Sequence, residues 1–292
     1  MAGAIMPTCV WEVQATLGEG VLWHAATGRA WFVDIKGRTI HSCAADGSDR
    51  RSWAAPQQVS AIVPVEGGGW VVSLEDGLYR FEEASGAFSL LRRVEADLPG
   101  NRFNDAFVDA SGGLWFGSMD NGEEQATGSL YRFDGQSVQL ADTGYIITNG
   151  PAISPDGRTL YHTDTLEKHV YAFDLAPDRS LGNMRLFARI EDGGYPDGMA
   201  VDAEGHVWVA TFGGARIDRF APGGQKLGEV RFPCSNITKL AFGGDDLRTV
   251  YVTTARKGLS DGELAGQPLA GGLFTFRADV PGLAQHALRL QE

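Results

Sequence analysis

The side chains of this 292-residue sequence with the most chemistry to offer stand at one and the same point of a repeated pattern. They are Glu19 in Leu17-Gly18-Glu19-Gly20, Ser60 in Val59-Ser60-Ala61, Asn104 in Arg102-Phe103-Asn104-Asp105, Asn149 in Thr148-Asn149-Gly150-Pro151, Asp197 in Pro196-Asp197-Gly198 and Thr238 in Ile237-Thr238-Lys239. All six carry a polar oxygen. If the repeats close into a ring, equivalent positions converge on its axis. Two carboxylates and two carboxamides on one axis repel one another or go unsatisfied unless a positive partner joins them. A divalent cation supplies that partner. Carboxylate, amide carbonyl and water oxygens suit calcium, magnesium or manganese, and two carboxylates with an amide also accommodate zinc or ferrous iron. Asp and Asn are ordinary turn residues, so any one of these positions has a purely structural explanation. Glu is a poor turn residue, and Glu19, Asn149 and Asp197 taken together are the candidate metal set.

The elements that must position this ring are short strands. An apolar run recurs as Trp31-Phe32-Val33-Asp34, Trp70-Val71-Val72-Ser73, Leu114-Trp115-Phe116-Gly117, Leu160-Tyr161-His162-Thr163, Val207-Trp208-Val209-Ala210 and Val250-Tyr251-Val252-Thr253, at intervals of 39 to 47 residues. Five of these are followed by a partner run, such as Ser129-Leu130-Tyr131-Arg132-Phe133. Turns rich in Asp and Gly precede them, for example Pro155-Asp156-Gly157-Arg158, and Asp-Gly between apolar runs signals a hairpin because Gly accepts positive φ. Four strands per unit with no helical periodicity between them describe propeller blades. The expected fold is therefore all-β: one six-bladed β-propeller of four-stranded antiparallel blades, forming a single domain over residues 1–292. Such a ring hides its edges by closing on itself. Val10-Trp11-Glu12-Val13 and His286-Ala287-Leu288-Arg289-Leu290 are the segments expected to pair and close it. A β-sandwich is the structural alternative.

In a propeller the first strand of each blade lines the central channel, and the loops between second and third strands rim the same end. Those loops carry Asp34, Glu75, Asp120, Glu123, Glu124, Asp164, Arg256 and Lys257, most of them read as solvated charges. The loop from Asn121 to Gly128 is longer and more polar than its counterparts and suits folding over a ligand. The six histidines show no metal-ligand spacing, and no Ser or Cys sits in a nucleophile-elbow context. The net charge of −12 and the absence of a basic stripe exclude a nucleic-acid partner. Cys9, Cys43 and Cys234 form no disulfide framework. Residues 1–7 lack the features of a signal peptide, and no apolar run approaches the ~18 residues of a membrane span. The expectation is a cytoplasmic monomer with no membrane partner.

Leu17-Gly18-Glu19-Gly20, Arg102-Phe103-Asn104-Asp105, Thr148-Asn149-Gly150-Pro151, Tyr161-His162-Thr163-Asp164-Thr165 and Tyr195-Pro196-Asp197-Gly198-Met199, in this order, resemble the family of senescence-marker protein (regucalcin), gluconolactonase and related sugar lactonases. The resemblance runs over nearly the whole chain. It is nearest to bacterial lactonases of pentose and hexose oxidation, xylonolactonase included. It implies a six-bladed propeller and one divalent metal held by Glu19, Asn149 and Asp197. It also implies that Arg102 and Asn104 contact the substrate, with Glu123 or Glu124 from the following loop. The activity implied is hydrolysis of a sugar lactone, such as xylonolactone, arabinonolactone or gluconolactone, to the aldonic acid, with Asp197 as the candidate base. The alternatives are metal-dependent hydrolysis of aryl esters or organophosphates at the same ring, and a non-catalytic calcium-binding propeller.

Overall fold

In the computed structural model, which describes residues 5–291, six antiparallel sheets of four strands each follow one another along the chain. Blades 1 to 5 span residues 18–54, 61–93, 101–145, 148–189 and 195–231, and blade 6 is built from residues 237–277 together with Thr8–Trp11. The first strand of each blade packs against the first strands of both neighbours, round the full circle. The expected six-bladed propeller is thus the fold. The reading of residues 1–4 as free of a signal lies outside the described residues.

The ring closes through its N-terminal strand, but not with the partner expected from the sequence. Thr8–Trp11 pairs antiparallel with Leu273–Arg277, the third strand of blade 6. The chain leaves that strand toward Pro281, and its exposed edge is covered from the other terminus. Residues 281–291 instead cross the far end of the channel. The Pro281 carbonyl accepts Ala203 N–H at 2.9 Å, Leu288 N–H donates to the Pro64 carbonyl at 2.8 Å, and Arg289 N–H donates to the Gly112 carbonyl at 2.9 Å. Leu288 is drawn there because it is fully buried among Val65, Val71 and Leu114 between blades 2 and 3. Gly282 permits the passage, since a Cβ at that position would lie 2.0 Å from Cγ of Phe242.

Blades adhere through aromatic contacts and through the Asp-rich turns. The Trp31 ring lies 5.2 Å from Trp53 in its own blade and 4.2 Å from Trp70 in the next. Trp23 stacks on Tyr251 at 5.3 Å, joining blades 1 and 6. Each such pair adds about 0.5–1.5 kcal/mol beyond its burial. In blades 3 and 5 the turn aspartate ties three strands together. Asp109 accepts from Trp115 Nε1 at 2.9 Å and from Arg132 Nε at 3.1 Å, and Asp202 accepts from Trp208 Nε1 at 2.9 Å and from Arg219 Nη2 at 3.4 Å. The helix among the described residues is Asp261–Gly266, capped by Ser260 and Glu263. No helix among them is long and apolar enough to cross a membrane. Cys9, Cys43 and Cys234 are unpaired.

His162, on the second strand of blade 4, is fully buried edge-on to Tyr145 at 4.8 Å, with no hydrogen-bond partner for either ring nitrogen among the described residues. Burial pushes its pKa down to about 3. A histidine that binds its proton more weakly when folded contributes full stability above its unfolded pKa near 6.5, and that contribution is lost as pH falls from there toward 3. Urea unfolding of the wild type between pH 6.5 and 4 is therefore expected to lose up to about 1.4 kcal/mol per pH unit through this residue. His162→Phe, which keeps a ring against Tyr145, should be flatter by that amount. Equal slopes for the two proteins would contradict this reading.

Candidate metal centre at the channel mouth

Five of the six first strands lose their register at or just after the ring position. The pairing shifts between Glu19 and Leu22, Phe103 and Ala106, Asn149 and Ala152, Pro196 and Met199, and Ile237 and Lys239. Such an irregularity bends the strand and re-aims its side chains. Gly20 and Gly150 accept the positive φ that follows Glu19 and Asn149, at 58° and 71°. Where a regular strand would alternate, the residue after the ring position also turns inward in blades 3 and 6. Asn104 is followed by Asp105, whose carboxylate crosses it, and Thr238 is followed by Lys239, which meets that carboxylate.

Four of the six ring residues come together at a pocket of about 250 Å³, whose polar lining includes Glu19, Arg102, Asn104, Asn149, Asp197, Glu123 and Lys257. Ser60 and Thr238 do not line it. Thr238 Oγ1 donates to the Gly18 carbonyl at 2.6 Å, and Ser60 Oγ is 3.5 Å from the Ser73 carbonyl, so both are used by the blades themselves. Glu19, Arg102, Asn104, Asn149 and Asp197 are all buried.

A hydrogen-bonded chain fixes the amides. Asn149 Nδ2 donates to Thr165 Oγ1 at 2.9 Å, and that hydroxyl donates to the Pro196 carbonyl at 3.0 Å, which leaves Asn149 Oδ1 as the oxygen facing Asn104. Asn104 Nδ2 donates to the Thr148 carbonyl at 2.7 Å and to Asn149 Oδ1 at 2.9 Å, while its Oδ1 accepts from Arg102 Nη1 at 2.8 Å. Both N–H groups of Asn104 are thus committed, and toward a ligand it offers only Oδ1.

The carboxylates are held against their electrostatic preference. Burial, and next the charge of Asp105, push the Glu19 pKa up to about 8. Burial, and next the charge of Glu19, drive Asp197 well above the usual carboxylate range. Burial lowers the pKa of Arg102, against the opposing charges of Glu123, Glu19 and Asp197. Asp197 Oδ1 and Arg102 Nε are buried with no hydrogen-bond partner among the described residues. No group of three His, Cys, Asp or Glu side chains among those residues is placed to hold a metal ion. The oxygen set is instead two carboxylates and the Asn149 carboxamide, with the buried Asp197 Oδ1 unclaimed. Hard divalent cations take this donor chemistry, and the residues present fit one.

The rim sorts the loop charges. Asp34 accepts the Thr16, Leu17 and Gly37 N–H groups, and Asp120 accepts those of Gly122, Glu124 and Gln125, so these two carboxylates organise backbone rather than face a ligand. The loop after Asp120 leans over the mouth. Lys36 Nζ donates to Asn121 Oδ1 at 2.8 Å, and Lys257 forms an ion pair with Glu123. Glu123, at φ 63°, lines the pocket, whereas Glu124 is exposed and does not. The apolar part of the lining includes Ile147, Leu166, Tyr195 and Phe212, with Leu17 and Met119. Sequence reasoning did not find this apolar lining, because its residues come from the ends of strands and from loops with no repeated signature. It also passed over Asp105 and Lys239, each the immediate neighbour of a ring residue.

The chain matches the SMP-30/gluconolactonase/LRE-like family over residues 17–256. It is 36% identical to an L-arabinolactonase of Azospirillum brasilense, over 95% of this chain and 93% of that one. It is 34% identical to a 6-deoxy-6-sulfogluconolactonase of Pseudomonas putida, over 95% and 96% of the two chains. Among solved structures it superposes on a calcium-binding protein, regucalcin, from Agrobacterium tumefaciens with a TM-score of 0.94 and 31% identity, covering 98% of each chain. By a family match over most of its length and relatives that span it almost end to end, the chain belongs to the SMP-30/gluconolactonase/LRE-like family.

Proposed function

We propose that this protein hydrolyses a sugar lactone to the open-chain aldonic acid, using one divalent cation held by Glu19, Asn149 and Asp197. The observation that carries the reading is the unclaimed, buried Asp197 Oδ1 beside Glu19, opening on a pocket of about 250 Å³ that suits a single sugar ring. Relatives named as lactonases cover the chain almost end to end, which makes it a hydrolase of the carboxylic-ester class. L-arabinonolactone, xylonolactone and gluconolactone are the first substrates to test.

Held by Glu19, Asn149 and Asp197, a divalent cation would supply Lewis acidity toward the lactone carbonyl and a neighbouring water. The residues divide the remaining tasks. Asp197 accepts the proton of the water as its oxygen attacks the carbonyl carbon. The ring C–O bond then breaks, and the ring oxygen leaves as a hydroxyl carrying that proton. Arg102 faces the charge that develops on the carbonyl oxygen, and Asn104 holds the guanidinium in place through its Oδ1. Glu123 reaches the sugar hydroxyls from the loop, steadied by Lys257. The wall of Ile147, Leu166, Tyr195 and Phe212 receives the carbon face of the ring. The same wall fits an aryl ester, so metal-dependent esterase activity is the second reading.

In a pH-stat assay over aldonolactones and one aryl ester, turnover is expected for an aldonolactone, to vanish on complete chelation and to return with a divalent ion. Asp197→Ala and Glu19→Gln should each lower kcat/KM by about 10³-fold or more without unfolding the chain. Turnover that survives full metal removal would contradict the mechanism, and preference for the aryl ester would favour the second reading. Thermal unfolding separates binding from catalysis. A saturating divalent ion should raise the wild-type Tm by several degrees. Metal-free Glu19→Gln should be about as stable as the metal-free wild type, because the neutral amide replaces a carboxyl that burial and the charge of Asp105 already push toward its neutral form, yet it should show no shift with metal. A wild-type-like shift in Glu19→Gln would mean that the ligand set is wrong.

A further inference from the structure

Beside the ring, Lys239 of blade 6 reaches across the channel to Asp105 of blade 3, and both side chains are buried. Lys239 Nζ donates to Asp105 Oδ2, and Asp105 Oδ1 accepts the Ala106 N–H at 2.7 Å, so both carboxylate oxygens are claimed. Blade 5 leaves the path open with a glycine beside Asp197. A Cβ on Gly198 would stand 2.3 Å from Lys239 Cδ, 2.9 Å from the Thr238 carbonyl and 3.1 Å from Asp105 Oδ2. The lysine also faces an apolar reach of the channel that includes Ala106, Ala152, Ala200 and Ala241. A long apolar stem tipped with a compact charge suits that route.

Asp105 is close enough to the ring that its charge, after burial, is the main influence raising the Glu19 pKa, and it also acts on Asp197. Three buried carboxylates therefore share the channel, while the ligand set needs two. An unclaimed carboxylate at this point would turn to a divalent cation, because oxygen ligands for such ions are interchangeable and coordination is flexible. It would occupy a position that the lactone or the water needs.

We propose that Lys239 is a positioning residue that holds Asp105 out of the cation's coordination, so that the protein supplies Glu19, Asn149 and Asp197 alone and the remaining positions stay open for reactants. This rests on the metal reading given above. The test is divalent-ion affinity, measured with manganese by competition against a chromophoric chelator, in wild type, Lys239→Met, Asp105→Asn and the double variant. Lys239→Met is expected to bind the ion at least tenfold more tightly and to turn over at least tenfold more slowly, since the freed carboxylate joins the cation. Asp105→Asn should bind at least tenfold more weakly, because an unpaired ammonium then faces the site. The double variant, with neither charge, should return to within about threefold of the wild-type Kd, since neither side chain touches the ion. Should Lys239→Met fail to fold, as an unpaired buried carboxylate can cause, the double variant still decides. A tenfold weaker Kd in the double variant, or an unchanged Kd in a folded Lys239→Met, would overturn the proposal. Failure of the wild type to bind any divalent ion would instead overturn the metal reading itself.

Discussion

Glu19 and Asp197 lie buried at the mouth of the channel, Glu19 raised in proton affinity by burial and by the charge of Asp105, Asp197 by burial and by the charge of Glu19, and the buried Asp197 Oδ1 is left unclaimed. Nothing in the interior of a stable fold requires this. Two ionised carboxylates withdrawn from water cost several kcal/mol each, and a propeller channel can be filled with small apolar residues instead. The lower channel of this protein is filled in that way, by residues such as Ala106, Ala152, Ala200 and Ala241. The acidic mouth is therefore a local departure from what the fold needs. The surrounding residues make sense as its supports: Asn149 held by Thr165, Asn104 holding Arg102, and Asp105 tied to Lys239.

The ring geometry converts a modest sequence feature into a concentrated site. Six strands that start on one circle bring residues far apart in the sequence onto one axis, and the register shifts after Glu19, Phe103, Asn149, Pro196 and Ile237 turn those strand ends toward it. The rest of the chain keeps that circle from opening. Thr8–Trp11 completes blade 6, and residues 281–291 tie blades 5 and 6 to blades 2 and 3 across the opposite end. Closure matters to the site because Glu19 and Thr238 lie on the two blades that the ring must join.

Much of this was legible in the residues. The blades declare themselves through alternating apolar runs and Asp-Gly turns, and their repetition aligns Glu19, Asn104, Asn149 and Asp197 without any structure. What was not legible has physical reasons. The third strand of blade 1, Thr39–Ala44, lacks the aromatic pattern of its counterparts. The closing pair was misread because edge pairing depends on which strand is left uncovered, and Leu288 had a better place between blades 2 and 3. Strand alternation sends the neighbour of a channel residue away from the channel, so Asp105 and Lys239 are visible only once the register shift is known. Among the loop acids, Asp34 and Asp120 are indistinguishable from Glu123 by type. Only the fold shows that the first two hold backbone N–H groups while Glu123 faces the pocket.

The central claim is that one divalent cation sits where Glu19, Asn149 and Asp197 converge. Anomalous diffraction from crystals grown with manganese tests it directly. The account predicts a single strong peak on the channel axis, within about 2.0–2.6 Å of a Glu19 carboxylate oxygen, Asn149 Oδ1 and an Asp197 carboxylate oxygen. Asp105 should remain on Lys239 in the same crystal. No peak at the mouth, or a peak held by Asp105 or by the rim acids instead, would contradict it.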